Sequence, residues 1–174
     1  MIANLYAEYF KSRYVVLLKP AVLILLLVLV LPNRANAQAE EDHEEISVIL
    51  NVPRIGVVEI PAIIAGQTLY LSVTDLFNFL KIRNIASSAL DSISGFFINP
   101  KATFLIDKTN QQIVYQDAIF KLKRSDLLVT ETTFYLKSEY FGEVFGLECN
   151  FNFRMLSVTL NTKIELPAVR EMQQ

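Results

Sequence analysis

The 174-residue chain has one cysteine, one histidine and five glycines, and each shortage excludes something. With Cys149 alone, no intramolecular disulfide forms. His43, the sole histidine, sits in an acidic run, so neither a Cys–His pair nor a Ser–His–acid set is held by a rigid core. These two residues, with no carboxylates paired at helical spacing inside a core pattern, are too few for a metal cluster. The glycines spell neither G-x-G-x-x-G nor G-x-x-x-x-G-K-[ST]. Sixteen basic residues stand against eighteen acidic ones, and no basic stripe marks a nucleic-acid footprint. The absences point away from an enzyme. No catalytic, cofactor-binding or metal residue is assigned, and a hydrolase ranks third among the readings because no nucleophile–base pair is visible.

The one long apolar run, Ala21 to Leu31, lies near the N-terminus behind Lys11, Arg13 and Lys19. Pro32 ends it, and Ala35-Asn36-Ala37 supplies a small–x–small pattern before Gln38. Eleven helical residues span about 16 Å, short of a hydrocarbon core of about 30 Å. Residues 1–37 therefore read as a signal peptide cleaved between Ala37 and Gln38, with an uncleaved inner-membrane anchor as the alternative. Residues 38–45, QAEEDHEE, read as an acidic disordered linker.

Beyond it the chain alternates like a sheet protein. Ile46 to Asn51, Gly56 to Ile60, Ile63-Ile64 and Thr68 to Leu71 read as extended, with Pro61 arguing against a central ladder position. Residues 83–95, RNIASSALDSISG, read as either a short helix or a loop. Ala102 to Asp107, Gln112 to Tyr115 and Ala118 to Leu122 are three more strands. After Leu147, the residues Cys149, Phe151 and Phe153 alternate with Glu148, Asn150 and Asn152, and Leu156, Val158 and Leu160 alternate with polar partners. That is a half-buried antiparallel hairpin. Cys149 is read as a small core residue, with a reactive thiol or an intermolecular bridge as the alternatives. Lys163 to Gln174 reads as a polar tail, too poor in apolar residues for an element of its own.

One stretch occurs twice. Leu69 to Ile82, LYLSVTDLFNFLKI, aligns without a gap with Phe134 to Leu147, FYLKSEYFGEVFGL. In both, a contiguous apolar strand gives way to helical spacing: Leu76, Phe79, Leu80 and Ile82 against Phe141, Val144, Phe145 and Leu147. Ser72 with Asp75 resembles a capping box, and Ser138 is the matching cap of the second helix. Asp75 and Glu139 read as first-turn acids favoured by the helix dipole rather than as an acid pair. Phe77 and Tyr140 fall off the apolar stripe and are expected to be exposed. The fold expected is α+β: two duplicated β–α–β-hairpin units with mainly antiparallel sheet, over residues 46–123 and 124–167, with a polar tail at 168–174. A chance match of two amphipathic elements is the plain alternative.

The order LYLSVTDLFNFLKI, Gly95-Phe96-Phe97, ATFLID, TFYLKSEYFGEVFGL, LSVTL and Glu165-Leu166-Pro167 resembles the N-terminal periplasmic region of usher-like bacterial outer-membrane proteins. Its modules also look like the copper amine oxidase N-terminal-like domain, which carries no copper chemistry by itself. The resemblance covers roughly Ile46 to Pro167 and rests on apolar patterns. It implies an exported, non-catalytic module of the cell envelope, periplasmic or outer-membrane associated. Its partner for surface assembly or secretion would be another envelope protein, bound through an edge strand. Membrane contact would be limited to Ala21–Leu31 unless the chain is the front of a longer barrel protein. The alternative is a stand-alone domain that binds a cell-envelope polymer, peptidoglycan or polysaccharide.

Overall fold

The computed structural model describes residues 43–173. The expectations for the signal peptide and for most of the acidic linker fall outside them. β1 (Glu45–Val52), β2 (Gly56–Ala65) and β3 (Thr68–Ser72) lead into helix α1 (Val73–Phe79). Next come β4 (Arg83–Ala86), β5 (Ser92–Phe96), β6 (Thr103–Asp107), β7 (Gln112–Tyr115) and β8 (Ala118–Lys121). A 3₁₀ turn (Arg124–Asp126) precedes β9 (Leu127–Val129) and β10 (Phe134–Lys137), then α2 (Glu139–Phe145). β11 (Leu147–Asn152), β12 (Ser157–Thr162) and the short helix α3 (Pro167–Met172) complete the order.

The strands form a larger sheet, β11-β12-β1-β2-β3-β10-β9, and a smaller one, β4-β5-β6-β7-β8. The architecture is α+β and mostly strand. Every pairing among the described residues is antiparallel except β1 with β12. One core joins the two sheets through the helices. Leu71, Phe134 and Leu136 of the larger sheet, Leu76, Phe77 and Phe145 of the helices, and Ile93, Phe104 and Ile106 of the smaller sheet belong to a single buried cluster. Phe77 stands at its centre, with ring centroids of Phe104, Phe145, Phe97 and Phe141 at 5.2, 5.4, 6.0 and 6.0 Å.

The registers follow a common spacing. Ala62, Ile63 and Ile64 of β2 face Leu71, Tyr70 and Leu69 of β3. Sixty-five residues on, Leu127, Leu128 and Val129 of β9 face Leu136, Tyr135 and Phe134 of β10. The β4–β5 ladder, from Arg83 with Phe96 to Ala86 with Ile93, has the same spacing to the β11–β12 ladder, from Glu148 with Asn161 to Phe151 with Val158. Between the two sets, β3 pairs with β10: Leu71 faces Leu136, Tyr70 faces Lys137 and Ser72 faces Tyr135. That register has a local two-fold axis at the Leu71–Leu136 pair.

Several expectations need correction. Residues 83–95 are neither helix nor loop: they hold β4, a turn and most of β5. The turn is built by side chains, with Ser87 Oγ donating to Asp91 Oδ1 and accepting the Asp91 and Ser92 N–H groups. Phe77 is fully buried and Phe79 half-exposed, because α1 lies between two sheets and buries Val73, Leu76, Phe77 and Leu80. Tyr140 is half-buried. Ser72 caps α1, accepting the Asp75 N–H and donating its hydroxyl to the Asp75 carboxylate. Ser138 makes no side-chain cap on α2. Glu45 opens β1 rather than closing the linker. The C-terminal tail is not featureless: Leu166 and Ala168 are buried, and the Ala168 N–H bonds the Leu80 carbonyl at the end of α1. Pro61 lies inside β2, at the point where the β3 ladder ends, so its missing N–H disturbs no pairing there.

Candidate functional site

The polar groups that sequence reasoning weighed for chemistry are committed locally. His43 is half-buried just before β1. Burial pushes the Cys149 thiol up to about 12, and its Sγ lies 3.5 Å from the Leu147 carbonyl. Such a thiol is protonated at neutral pH and a poor nucleophile. Asp75 is bound to Ser72, and Glu139 pairs with Lys137 at 2.6 Å. The hydrogen bond from Lys137 to Glu139 holds the lysine charged above its ordinary range. The two first-turn acids thus serve their own helix starts.

Ser72 and Asp126 are buried polar side chains with structural work, and the Thr130 hydroxyl and the Tyr135 phenol are buried as well. Asp126 Oδ2 accepts the Lys123 N–H at 2.7 Å and the Tyr140 hydroxyl at 2.8 Å. Burial, then the Asp126 bond, pushes the Tyr140 phenol well above its ordinary range. No group of three or more potential metal ligands occurs among the described residues. A cleft of about 360 Å³ is lined by Arg54, Thr162, Lys163 and Glu165 among others. A second, of about 520 Å³, is lined by Asp91, Lys108, Lys123 and Arg124 among others. Neither is lined by Cys149 or His43.

What the fold does present is sheet surface and sheet edge. On the outer face of the smaller sheet, Ile85, Ser94, Leu105, Val114 and Ile119 stand opposite one another in turn across all five strands. Four of the five are aliphatic. Ile85 and Ile119, on the two edge strands, are 65% and 60% exposed, and Leu105 and Val114 lie half-exposed between them. Strands are about 4.8 Å apart, so this apolar row is roughly 19 Å long. Inner neighbours such as Ile93, Ile106 and Ile113 are fully buried, which fixes the opposite face as outward.

On the outer face of the larger sheet Ile63, Tyr70 and Tyr135 form a separate buried cluster, while the β11–β12 end is polar. Asn152 with Ser157, Asn150 with Thr159, and Glu148 with Asn161 form cross-strand pairs there, and Asn51 continues the middle row on β1. Phe153, at the tip of that hairpin, is exposed and packs against Phe151 with ring centroids 4.4 Å apart and planes tilted by 60°.

Four edge strands are open among the described residues: β11 and β9 of the larger sheet, β4 and β8 of the smaller. Charged side chains commonly guard such edges. Arg83 is on β4, Lys121 on β8 and Glu148 on β11, whereas β9, Leu127-Leu128-Val129, carries none. Sequence reading placed β8 and β11 but not β4 or β9, and it missed the row and the bare edge. The row had a signal, since Leu105 and Val114 alternate with the buried Ile106 and Ile113. An edge is a property of pairing and leaves no mark in a single strand's sequence. No family model matches the chain, and no curated protein and no solved structure is significantly similar to it.

Proposed function

We propose that the chain is an exported, non-catalytic interaction module of the bacterial cell envelope, built from two copies of one β–β–α–β–β unit. The repeated 65-residue spacing of the strand registers supports the duplication. Residues Lys11 to Ala37, with their basic, apolar and small-residue segments, support export. The resemblance to the N-terminal region of usher-like proteins favours a partner protein in surface assembly or secretion.

The observation that carries the reading is the apolar row Ile85–Leu105–Val114–Ile119, which reaches both edges of the smaller sheet. Rows of this kind on soluble domains mark contact surfaces. The test is a photo-crosslinking residue at Val114 in cells expressing the full chain, followed by fractionation. An adduct of defined mass in the envelope fraction is expected. A cytosolic chain without an adduct overturns the reading.

A second reading, binding of an envelope polysaccharide, draws on the Asn150, Asn152, Asn161, Asn51 and Thr159 array. Amides and hydroxyls at strand spacing suit sugar hydroxyls. The aromatics on that face, Tyr70 and Tyr135, are buried. The exposed aromatic among the described residues, Phe153, shares the alternation of the core-facing Cys149 and Phe151, so no exposed row for stacking stands beside these amides. Retention on purified peptidoglycan, lost in an Asn150→Ala and Asn161→Ala double variant, distinguishes it.

A further inference from the structure

The matched registers make β9 the counterpart of β2. β2 is a central strand: β3 lies on one side of it and β1 on the other. β9 has β10 on one side and no described strand on the other. The same comparison holds for β5 and β12, which each carry a further strand, β6 and β1. Of these four equivalent flanks, β9 alone is open. It is also the edge without a charged side chain to discourage pairing.

The direction of its backbone groups follows from the hydrogen bonds around it. Ser138 N–H donates to the Leu69 carbonyl, so Leu69 and Leu71 address β10 and Tyr70 addresses β2. Alternation then turns Leu136 towards β3 and Tyr135 towards β9. Leu128 and Thr130 therefore address the β10 side, and Thr130 N–H does donate to the Thr133 carbonyl. The N–H and C=O groups of Leu127 and Val129 point off the sheet.

We propose that this β9 edge is the acceptor for an extended segment of a partner protein. The segment adds antiparallel to β9, with aliphatic residues at alternate positions, as β1 adds to β2. β1 supplies the chemistry: Ile46, Val48, Leu50 and Val52 face the core while Glu45, Ser47 and Asn51 face outward. Its ladder on β2 runs to Ala62 and Ile63, the counterparts of Leu127 and Leu128. Leu127 and Val129 already pack against the core, so a neighbouring strand extends an existing apolar layer. The proposal rests on the reading of the chain as an interaction module and names where that partner binds.

The test uses the purified full chain and a fluorescein-labelled synthetic peptide of Glu44–Val52 with two added C-terminal lysines. Saturable binding by anisotropy is expected, together with slowed hydrogen exchange at the Leu127 and Val129 amides. A scrambled peptide should not bind. Val129→Pro removes an outward donor at an edge position that tolerates proline, and should weaken binding about tenfold or more. The exchange measurement on the unaltered chain decides the matter even if that variant folds poorly. Three results overturn the proposal: no peptide binding, binding without protection of those amides, or binding unchanged by a folded Val129→Pro variant. Protection that appears without peptide and grows with protein concentration also overturns it, by assigning the edge to a second copy. If the peptide fails while the Val114 envelope adduct forms, only the β9 assignment falls. If the peptide binds while the adduct is missing, only the envelope reading falls.

Discussion

Tyr140 donates its hydroxyl to Asp126 Oδ2 across 2.8 Å, joining α2 to the 3₁₀ turn that leads from the smaller sheet back to the larger. The same oxygen accepts the Lys123 N–H, so the carboxylate closes the turn and anchors the helix together. Tyr140→Phe leaves a buried carboxylate one donor short, which costs about 1–3 kcal/mol. Urea unfolding of the two proteins measures it. Equal midpoints would show that the bond does not hold the connection.

Phe77 and Phe79 separate the two faces of α1. Phe77 meets four aromatic rings and is fully buried, so Phe77→Ala is expected to cost about 3–5 kcal/mol. Phe79 is half-exposed and lines a shallow cleft with Ile55, and Phe79→Ala should cost about 1 kcal/mol. Thermal melts of both variants check the order. A larger loss for Phe79 would place α1 on one sheet only.

Gly95 is required by a close approach of strands. A Cβ at this position would lie 1.9 Å from the Arg83 carbonyl oxygen and 2.8 Å from the Phe104 ring. The carbonyl is backbone and can move only by breaking the β4–β5 ladder, in which Arg83 and Asn84 face Phe96 and Gly95. Gly95→Ala should destabilise by about 1–3 kcal/mol or more. Faster amide exchange throughout β4 is the specific signature; a variant with parental exchange there would contradict this geometry.

Asp107 closes the β6–β7 turn by accepting the Asn110 side-chain N–H at 2.6 Å and its backbone N–H at 2.9 Å. Those bonds lower its pKa from 3.8. A depressed folded value means that the stabilisation is complete above the unfolded pKa and is lost as pH falls through the folded one. The parent should therefore exceed Asp107→Ala in stability by a constant amount from neutral pH down to about pH 5. The gap should close in acid. Screening at this largely exposed site keeps it below about 1 kcal/mol. Denaturation curves across that range would refute the assignment if the gap widened in acid.

Strands rich in β-branched residues were legible. Ile46 to Asn51 and the ATFLID and QIVY segments lie where alternation put them, as does the hairpin after Leu147. β4 and β5 were not, because they offer one inward aliphatic, Ile93, against an outward Ile85 in a stretch of Ser, Ala and Asn. Phe77 was misplaced because a single-stripe helix was assumed, and only the second sheet explains its burial. α3 depends on docking: Leu166 and Ala168 are too few to signal a helix alone, and the Leu80 carbonyl supplies the missing contact. The bare β9 edge arises from which strand lies beside which, and that is long-range information. The exposed row, by contrast, crosses a meander of consecutive strands and had a local signal in the alternation of Leu105 and Val114 with Ile106 and Ile113.

The parallel pairing of β1 with β12 sets Ile49 against Ser157, more than a hundred residues later in the chain. Local hairpins such as β6–β7 close over a few residues, but this pairing must wait until the chain has been made as far as β12. Contacts of such sequence separation slow folding. The last ladder to form should therefore be the one that joins β12 to β1, and until it does, the outer edge of the β1–β2 hairpin stays available to any chaperone that meets the emerging protein.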